Sequence, residues 1–240
     1  MSQTAADAQA AWPPRIAIPD SAVEALKWLA LVFMTIDHIN SYLFDHGVAW
    51  MYALGRIAMP LFAAVLAYNL ARPGTLERGG YPRAIRHLLL FGVLATPQFI
   101  AGGGTGDPAS PLPLNILFLF AAAAGYAWLI DRGTPMAISG AIGVFLIGGL
   151  LAEFWHPGLG LAVALWHYFR RPSWGSAVAA LACWLLLYLV NSNFWALLAI
   201  PILLSAPHWR LKVPRIRWAF YVYYPAHIAV LWAIQRWWMA

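Results

Sequence analysis

The chain has 240 residues, 62% of them hydrophobic and only 10% charged, with a formal net charge of +6 and a mean hydropathy of +0.66. A soluble domain carries about 25% charged residues, so this composition excludes a soluble enzyme and a disordered chain. The isoelectric point of 9.7 then reads as membrane topology, and no nucleic-acid partner is expected.

Residues 1–20 are rich in Ala, Gln and Pro and lack an apolar signal-peptide core. They read as a short cytoplasmic tail. A spanning helix needs about 20 apolar residues, and Gly, Pro and basic clusters divide the remainder into nine segments: 22–43, 48–71, 83–101, 113–130, 135–152, 156–169, 174–190, 193–206 and 216–238. The sixth and eighth are short. With the N-terminus inside, thirteen of the fifteen basic residues fall on the cytoplasmic side, among them Arg72, Arg78, Arg83, Arg86, Arg132, Arg170, Arg171, Arg210, Lys212, Arg215 and Arg217. The outer connections then carry no Lys or Arg, only groups such as Asp45, His46, Asp107, Glu153 and Asn191. The positive-inside rule thus favours nine crossings. The predicted fold is all-α: one polytopic membrane bundle over 21–240, of about nine helices, surrounded by lipid. Cys183 reads as a small buried hydrophobe.

Ionisable groups within a span are costly and mark functional candidates. In the first segment Lys27 and His38 lie eleven positions apart, which puts them on one helix face about 16 Å apart along the axis. Glu24, Thr35 and Tyr42 fall on or near the same stripe, which suggests the wall of a water-filled or ligand-filled cavity. Snorkelling to the inner surface is the structural alternative for Lys27, and a cross-helix hydrogen bond is the one for His38. Asp37 points about 100° away from His38, so its partner comes from elsewhere. Counted from the turn near His46, Asp37 and Arg56 reach similar depth on antiparallel helices, where an ion pair neutralises both. Arg56 as a binder of an anionic substrate group is the other reading. Pro60 and Pro225 free carbonyls and kink their helices. His227, with Tyr221, Tyr223 and Tyr224, is the second intramembrane histidine. His87, His156, His167 and His208 lie near segment ends and read as interfacial. No HExxH, Cys pair or carboxylate cluster is present in the sequence, so no metal is expected.

Three stretches, ALKWLALVFMTIDHINSYLF, GRIAMPLFAAVLAYNLARP and FYVYYPAHIAVLW, resemble the TraX family, over about residues 25–73 and 214–235. That family is similar to the integral-membrane acyltransferase superfamily, in which a basic residue and a histidine separated by ten others mark the first helix and the acyl-transfer site. Lys27 and His38 have that spacing, and Asp37 adjoins it. The resemblance implies an acetyltransferase that takes acetyl-CoA from the cytoplasm and acetylates an acceptor at or beyond the membrane, such as the N-terminal amine of a conjugative pilin or another envelope molecule. His38 would then be the general base, with Asp37 and His227 as further catalytic candidates. Lys27, Arg56 and Arg86 would contact the donor, and Arg83, Arg215 and Arg217 lie in the same inner-face clusters. Arg56, Asn69, Tyr224 and His227 are candidates to stabilise the oxyanion. Two readings from other classes stand beside this one: a small proton-coupled transporter, and a noncatalytic scaffold of pilus or envelope assembly.

Overall fold

The computed structural model describes residues 13–106, 109–211, 213, 214, 216 and 218–238. Among them all the regular elements are helical: α1 (Asp20–Phe44), α2 (Ala49–Leu70), α3 (Gly80–Ala101), α4 (Ile116–Arg132), α5 (Pro135–Leu151), α6 (Trp155–Arg170), α7 (Trp174–Leu186), α8 (Tyr188–Asn191), α9 (Ala199–Ser205) and α10 (Ala219–Trp238). Each expected segment has its helical rod. The seventh is interrupted at Leu187, and the eighth is α9 flanked by the 3-10 turns Trp195–Leu198 and Ala206–His208. Three helical stretches, Ala49–Leu70, Gly80–Ala101 and Trp174–Asn191, are long and apolar enough to cross a membrane. The inner-face candidates Lys212, Arg215 and Arg217 and the outer Asp107 lie outside the described residues.

Breakers set the helix ends for identifiable reasons. Gly133 takes φ 70°, Thr134 accepts the Ala137 N–H at 3.2 Å, and Pro135 opens α5, where a missing N–H costs nothing. Asn115 caps α4 by accepting from Leu117 N–H at 3.2 Å, while its amide donates to the Gly92 carbonyl of α3 at 2.9 Å. A cap and a cross-helix tie thus share one buried side chain.

The short sixth segment is the centre of the bundle. Along α6, Gly158 to Trp166 are buried without a break, as befits a helix apolar on all sides. It packs against α2, α4, α5 and α7. At the rim α5 turns Met136, Ile142, Leu146, Ile147 and Leu150 outward, an apolar face suited to lipid rather than to water. On the far side α10 packs against both α1 and α3.

Two expectations need amendment. The end of the tail does not stand apart from the bundle. Ile18 is buried, exchanges hydrogen bonds with the Tyr68 hydroxyl at 3.0 and 2.8 Å, and Tyr168 donates to the Pro14 carbonyl at 2.6 Å. Ile18 belongs to the buried core and Ile16 packs against it; residues 1–12 lie outside the described residues. Cys183 is only partly buried, because α7 is a peripheral helix.

Candidate active site

The polar residues of α1 are positioned from its C-terminal turn. Asn40, fully buried, donates to the Val48 carbonyl at 3.1 Å and accepts from the Val48 N–H at 3.0 Å. This two-way bond fixes the register of the α1–α2 hairpin. Asp37 and Arg56 therefore meet, with one guanidinium nitrogen 2.5 Å from both carboxylate oxygens. Gly55 permits the approach, since a β-carbon there would collide with the Asp37 carboxylate. Arg56 also lies 4.4 Å from the centre of the Tyr52 ring and donates to Asn191 Oδ1 at 3.4 Å. Tyr52 donates to the Asn191 carbonyl at 3.1 Å. Arg56 Nε and Asn191 Nδ2 are buried without a partner among the described residues.

One residue on from Asp37, on a helix face about 100° away, His38 Nδ1 and His227 Nε2 are 2.6 Å apart. The ring centres are 4.9 Å apart with planes 16° apart, which is the geometry of a hydrogen bond in the common ring plane. The other nitrogen of His227, Nδ1, lies 2.7 Å from the Tyr223 carbonyl. A carbonyl only accepts, so in the neutral ring His227 Nδ1 carries the proton and Nε2 is an acceptor. His38 must then donate from Nδ1, which leaves its Nε2 with a free lone pair. The opposite assignment would set a bare nitrogen against a carbonyl oxygen. A one-way chain results, from His38 through His227 to the Tyr223 carbonyl.

The surroundings hold that chain in place. Pro225 lacks an N–H and opens the turn of α10 that precedes His227. The Tyr223 ring lies alongside His227 with centres 4.7 Å apart, and its hydroxyl meets Thr35 at 2.9 Å. Thr35 already donates to the Leu31 carbonyl at 2.7 Å, so Tyr223 is the donor between them. Tyr42 and Tyr224 stand edge-on to His38 at 6.4 and 6.0 Å. Tyr42 donates to the Gln98 carbonyl at 3.2 Å, whereas the hydroxyl of the buried Tyr224 has no hydrogen-bond partner among the described residues. His227 is 8% exposed and His38 keeps somewhat more surface. His38 is therefore the member of the pair that an incoming molecule can meet.

Glu153 joins the site from the connection between α5 and α6. Its Oε1 accepts the Ile116 N–H at 2.6 Å, and its own N–H donates to the Leu114 carbonyl at 2.8 Å. The protein packed around the carboxyl pushes its pKa up to about 7, opposed by the Ile116 hydrogen bond and by Arg56 and reinforced by Asp37. Its charge also reaches Tyr42 and Tyr224.

At the opposite end of α1, Lys27 pairs with Glu24 at 2.7 Å and lies 5.5 Å from the Phe220 ring centre. The Trp28 indole donates to the Pro214 carbonyl at 3.3 Å. His87 sits between the rings of Trp218 and Tyr221, at 5.0 and 5.2 Å, next to the exposed Arg86. Basic and aromatic groups from α1, α3 and the start of α10 thus gather at this end of the bundle.

His38, His227 and Tyr224 are brought together, with the Asp37–Arg56 pair on the adjoining face of α1 and Lys27 and Arg86 toward the other end of the bundle. Asn69 is not. It lies in the last turn of α2, thirteen residues from Arg56, roughly 20 Å along the axis, so it is too far from the histidines to steady an oxyanion there. Tyr223, Asn191 and Glu153 were missed as site residues. The signals were present as a lone acid in an apolar stretch at 153 and a polar Asn-Ser-Asn run at 191–193.

The family described as TraX protein matches residues 22–235. Protein TraX of Escherichia coli is 30% identical over 162 residues, which is 67% of this chain and 61% of that protein. A second Protein TraX, from Escherichia coli strain K12, is 35% identical over 101 residues, 42% of this chain and 37% of that one. A probable fimbrial assembly protein FimC, serogroup H1, of Dichelobacter nodosus is 24% identical over 238 residues, covering 88% of this chain and 95% of its own length. The chain thus spans less than two thirds of either TraX relative. No solved structure matches it. The matched span takes in nearly the whole helical bundle, with the histidine chain and the Asp37–Arg56 pair inside it, and this protein belongs to the TraX family.

Proposed function

We propose that the chain is an integral-membrane acetyltransferase of a bacterial inner membrane. It crosses the bilayer nine times with its N-terminus inside and moves an acetyl group from cytoplasmic acetyl-CoA to an amine presented near the outer face. The observation that carries this reading is the one-way hydrogen-bond chain that leaves His38 Nε2 unprotonated and accessible. A base oriented by a second group, itself fixed by a third, is the arrangement that activates a nucleophile.

The chemistry follows from the residues present. An α-amine has a reference pKa of about 7.7–8.0 and a histidine about 6.5, so an imidazole is suited to take the proton that an attacking amine sheds. As the amine nitrogen bonds to the thioester carbon, His38 Nε2 accepts that proton. His227 stabilises the resulting imidazolium by accepting from Nδ1. The free Tyr224 hydroxyl is the donor suited to the carbonyl oxygen as it gains negative charge. When the carbon–sulfur bond breaks, His38 returns the proton to the thiolate. Amide and free thiol are the products.

Lys27, Arg83 and Arg86 toward the inner face suit the phosphates of the donor, and the exposed Trp218 offers a face for its base. Lys27 and His38 are about 16 Å apart along α1, so the donor must be an extended molecule with its charge at one end and its reactive carbon at the other. Acetyl-CoA has that shape. The resemblance to the TraX family, together with a relative named as a probable fimbrial assembly protein, makes a pilin the acceptor of choice. Purified protein in liposomes, supplied with acetyl-CoA and a short peptide with a free N-terminus, should release thiol and yield peptide heavier by one acetyl group. Hydrolysis or transfer no faster than in empty liposomes would overturn the reading.

A further inference from the structure

Away from the histidines, α5 and α7 both pack on α6, and a cleft of about 570 Å³ lies between them, within the size range of ligand pockets. Gly160 and Ala164 of α6 form its floor, Ile142 and Phe145 of α5 one wall, and Ala179 and Cys183 of α7 the other. A β-carbon on Gly160 would lie 2.8 Å from Cys183 Sγ and 3.9 Å from Phe145 Cζ, so the walls converge there and close one end. His167, Ser173 and Ser176 edge the cleft as well. Ser173 and Cys183 are ten positions apart, about 15 Å along α7, which is half of a hydrocarbon core about 30 Å thick. The cleft is therefore one leaflet long. Ile142 and Ala179, one from each wall, are exposed at the surface of the bundle, so it opens sideways onto lipid. Its polar groups already have partners: Tyr126 and His167 bond one another at 3.2 Å, and Ser176 donates to the Ser173 carbonyl at 2.9 Å.

The edge at His167 and Ser173 is basic. Arg171 stands between these two residues and donates its N–H to the His167 carbonyl at 2.9 Å. Its neighbour Arg170 is tied to Asp131, while Arg171 and the Arg132 that adjoins Asp131 are exposed. The exposed Trp174 opens α7 at the same edge, an aromatic of the kind that membrane interfaces favour.

We propose that this cleft holds one anionic phospholipid, with its phosphate at Arg171 in the field of Arg132 and one acyl chain lying along α7 as far as Gly160. Charge complementarity selects the head, and the length and apolar lining of the cleft select the tail. A soluble phosphate compound would leave the apolar walls uncovered. A helix from a second copy, about 10–12 Å across with its side chains, is too broad to sink between walls that meet over Gly160. The bound lipid ties the peripheral α7 to α5 as well as to α6. The site stands apart from acyl transfer, and in the proposed topology its lipid belongs to the inner leaflet.

Native mass spectrometry of the purified full-length protein, titrated in detergent with dioleoyl phosphatidylglycerol or dioleoyl phosphatidylcholine, tests the site. One phosphatidylglycerol should be retained, about tenfold or more tightly than phosphatidylcholine. Arg171→Gln should weaken its binding about fivefold, and Ala179→Phe, which fills the cleft from an exposed position, should abolish retention of the bound lipid. Excess inorganic phosphate should not displace it. Equal retention of the two lipids by the wild type, or unaltered phosphatidylglycerol binding in Ala179→Phe or in Arg171→Gln, would overturn the proposal. Displacement by phosphate would reduce the site to an anion site that needs no chain, and a dimer lost in Ala179→Phe would give the cleft to a second copy; either result overturns the lipid. The wild-type comparison of the two lipids holds whether or not the variants fold.

Discussion

Two polar clusters in this bundle have the same ingredients. Near the C-terminal end of α1 are the Asp37–Arg56 pair and the His38–His227 bond. At the other end are the Asp131–Arg170 pair and a Tyr126–His167 bond of 3.2 Å. In the second cluster, Tyr81 bonds both Asp131 and the Leu70 carbonyl, at 3.2 and 3.1 Å, and Arg170 remains 32% exposed to whatever lies outside. Its groups are satisfied or solvated. In the first cluster the arginine is the more enclosed partner, at 12% against 17% for Asp37, and Arg56 Nε and Asn191 Nδ2 are idle. The histidines differ as well. His167 ends on a hydroxyl that can donate or accept, which fixes no tautomer, whereas His227 ends on a carbonyl that can only accept. Composition of a cluster therefore says little about its task. The direction of its hydrogen bonds, and the capacity left over, say more.

Exchanging the histidines breaks the comparison most sharply. His38→Gln should lower acetyl transfer by about 10²–10⁴ in protein that still folds, while His167→Gln should leave the rate unaltered; both are read by single-turnover acetylation of a peptide amine. Removing one charge from each pair comes next. Asp37→Ala strands an enclosed arginine and should cost about 3–5 kcal/mol, with much of it recovered in Asp37→Ala combined with Arg56→Ala. Asp131→Asn leaves Arg170, 32% exposed, within reach of solvent and keeps an acceptor for Tyr81, so it should cost about 1 kcal/mol. Unfolding of the detergent-extracted variants gives these values, and strictly additive losses at Asp37 and Arg56 would deny their coupling.

His227→Ala should slow transfer by about tenfold to a hundredfold, the range for a residue that only orients another. His227→Gln retains an acceptor for the His38 Nδ1–H and should recover most of that loss. Equal defects in both would make His227 a proton carrier rather than a positioning residue. The smallest effect is on stability. The Glu153 carboxyl is raised in the folded protein from an ordinary 4.5 to about 7, so its ionisation works against the fold. The advantage of Glu153→Gln in melting temperature should be absent below pH 4.5, grow up to about pH 7 and level off above it.

Much of this arrangement was legible in the chain itself. Gly, Pro and basic clusters marked every rod, because each ends a helix for a local reason. Counting outward from the turn at His46 paired Asp37 with Arg56, since an antiparallel hairpin keeps equal counts at equal depth. The same counting would have excluded Asn69, which lies far past Arg56 on the way back to the other face. What local counting could not supply was the partner of His38. His227 is 189 positions away, and the contact depends on α10 packing between α1 and α3, which no periodicity specifies. Glu153 was illegible for another reason: its carboxylate takes its position from the N-terminus of α4, an element 37 positions earlier.

The central claim is that the chain of bonds from His38 runs one way, and nitrogen NMR of the two rings tests it most directly. With histidine labelled at its ring nitrogens and the signals assigned through His38→Gln and His227→Gln, the neutral protein in detergent should show a proton on Nδ1 of both rings and a bare Nε2 on His38. A proton resident on Nε2 of His38, with Nδ1 bare toward His227, would contradict it.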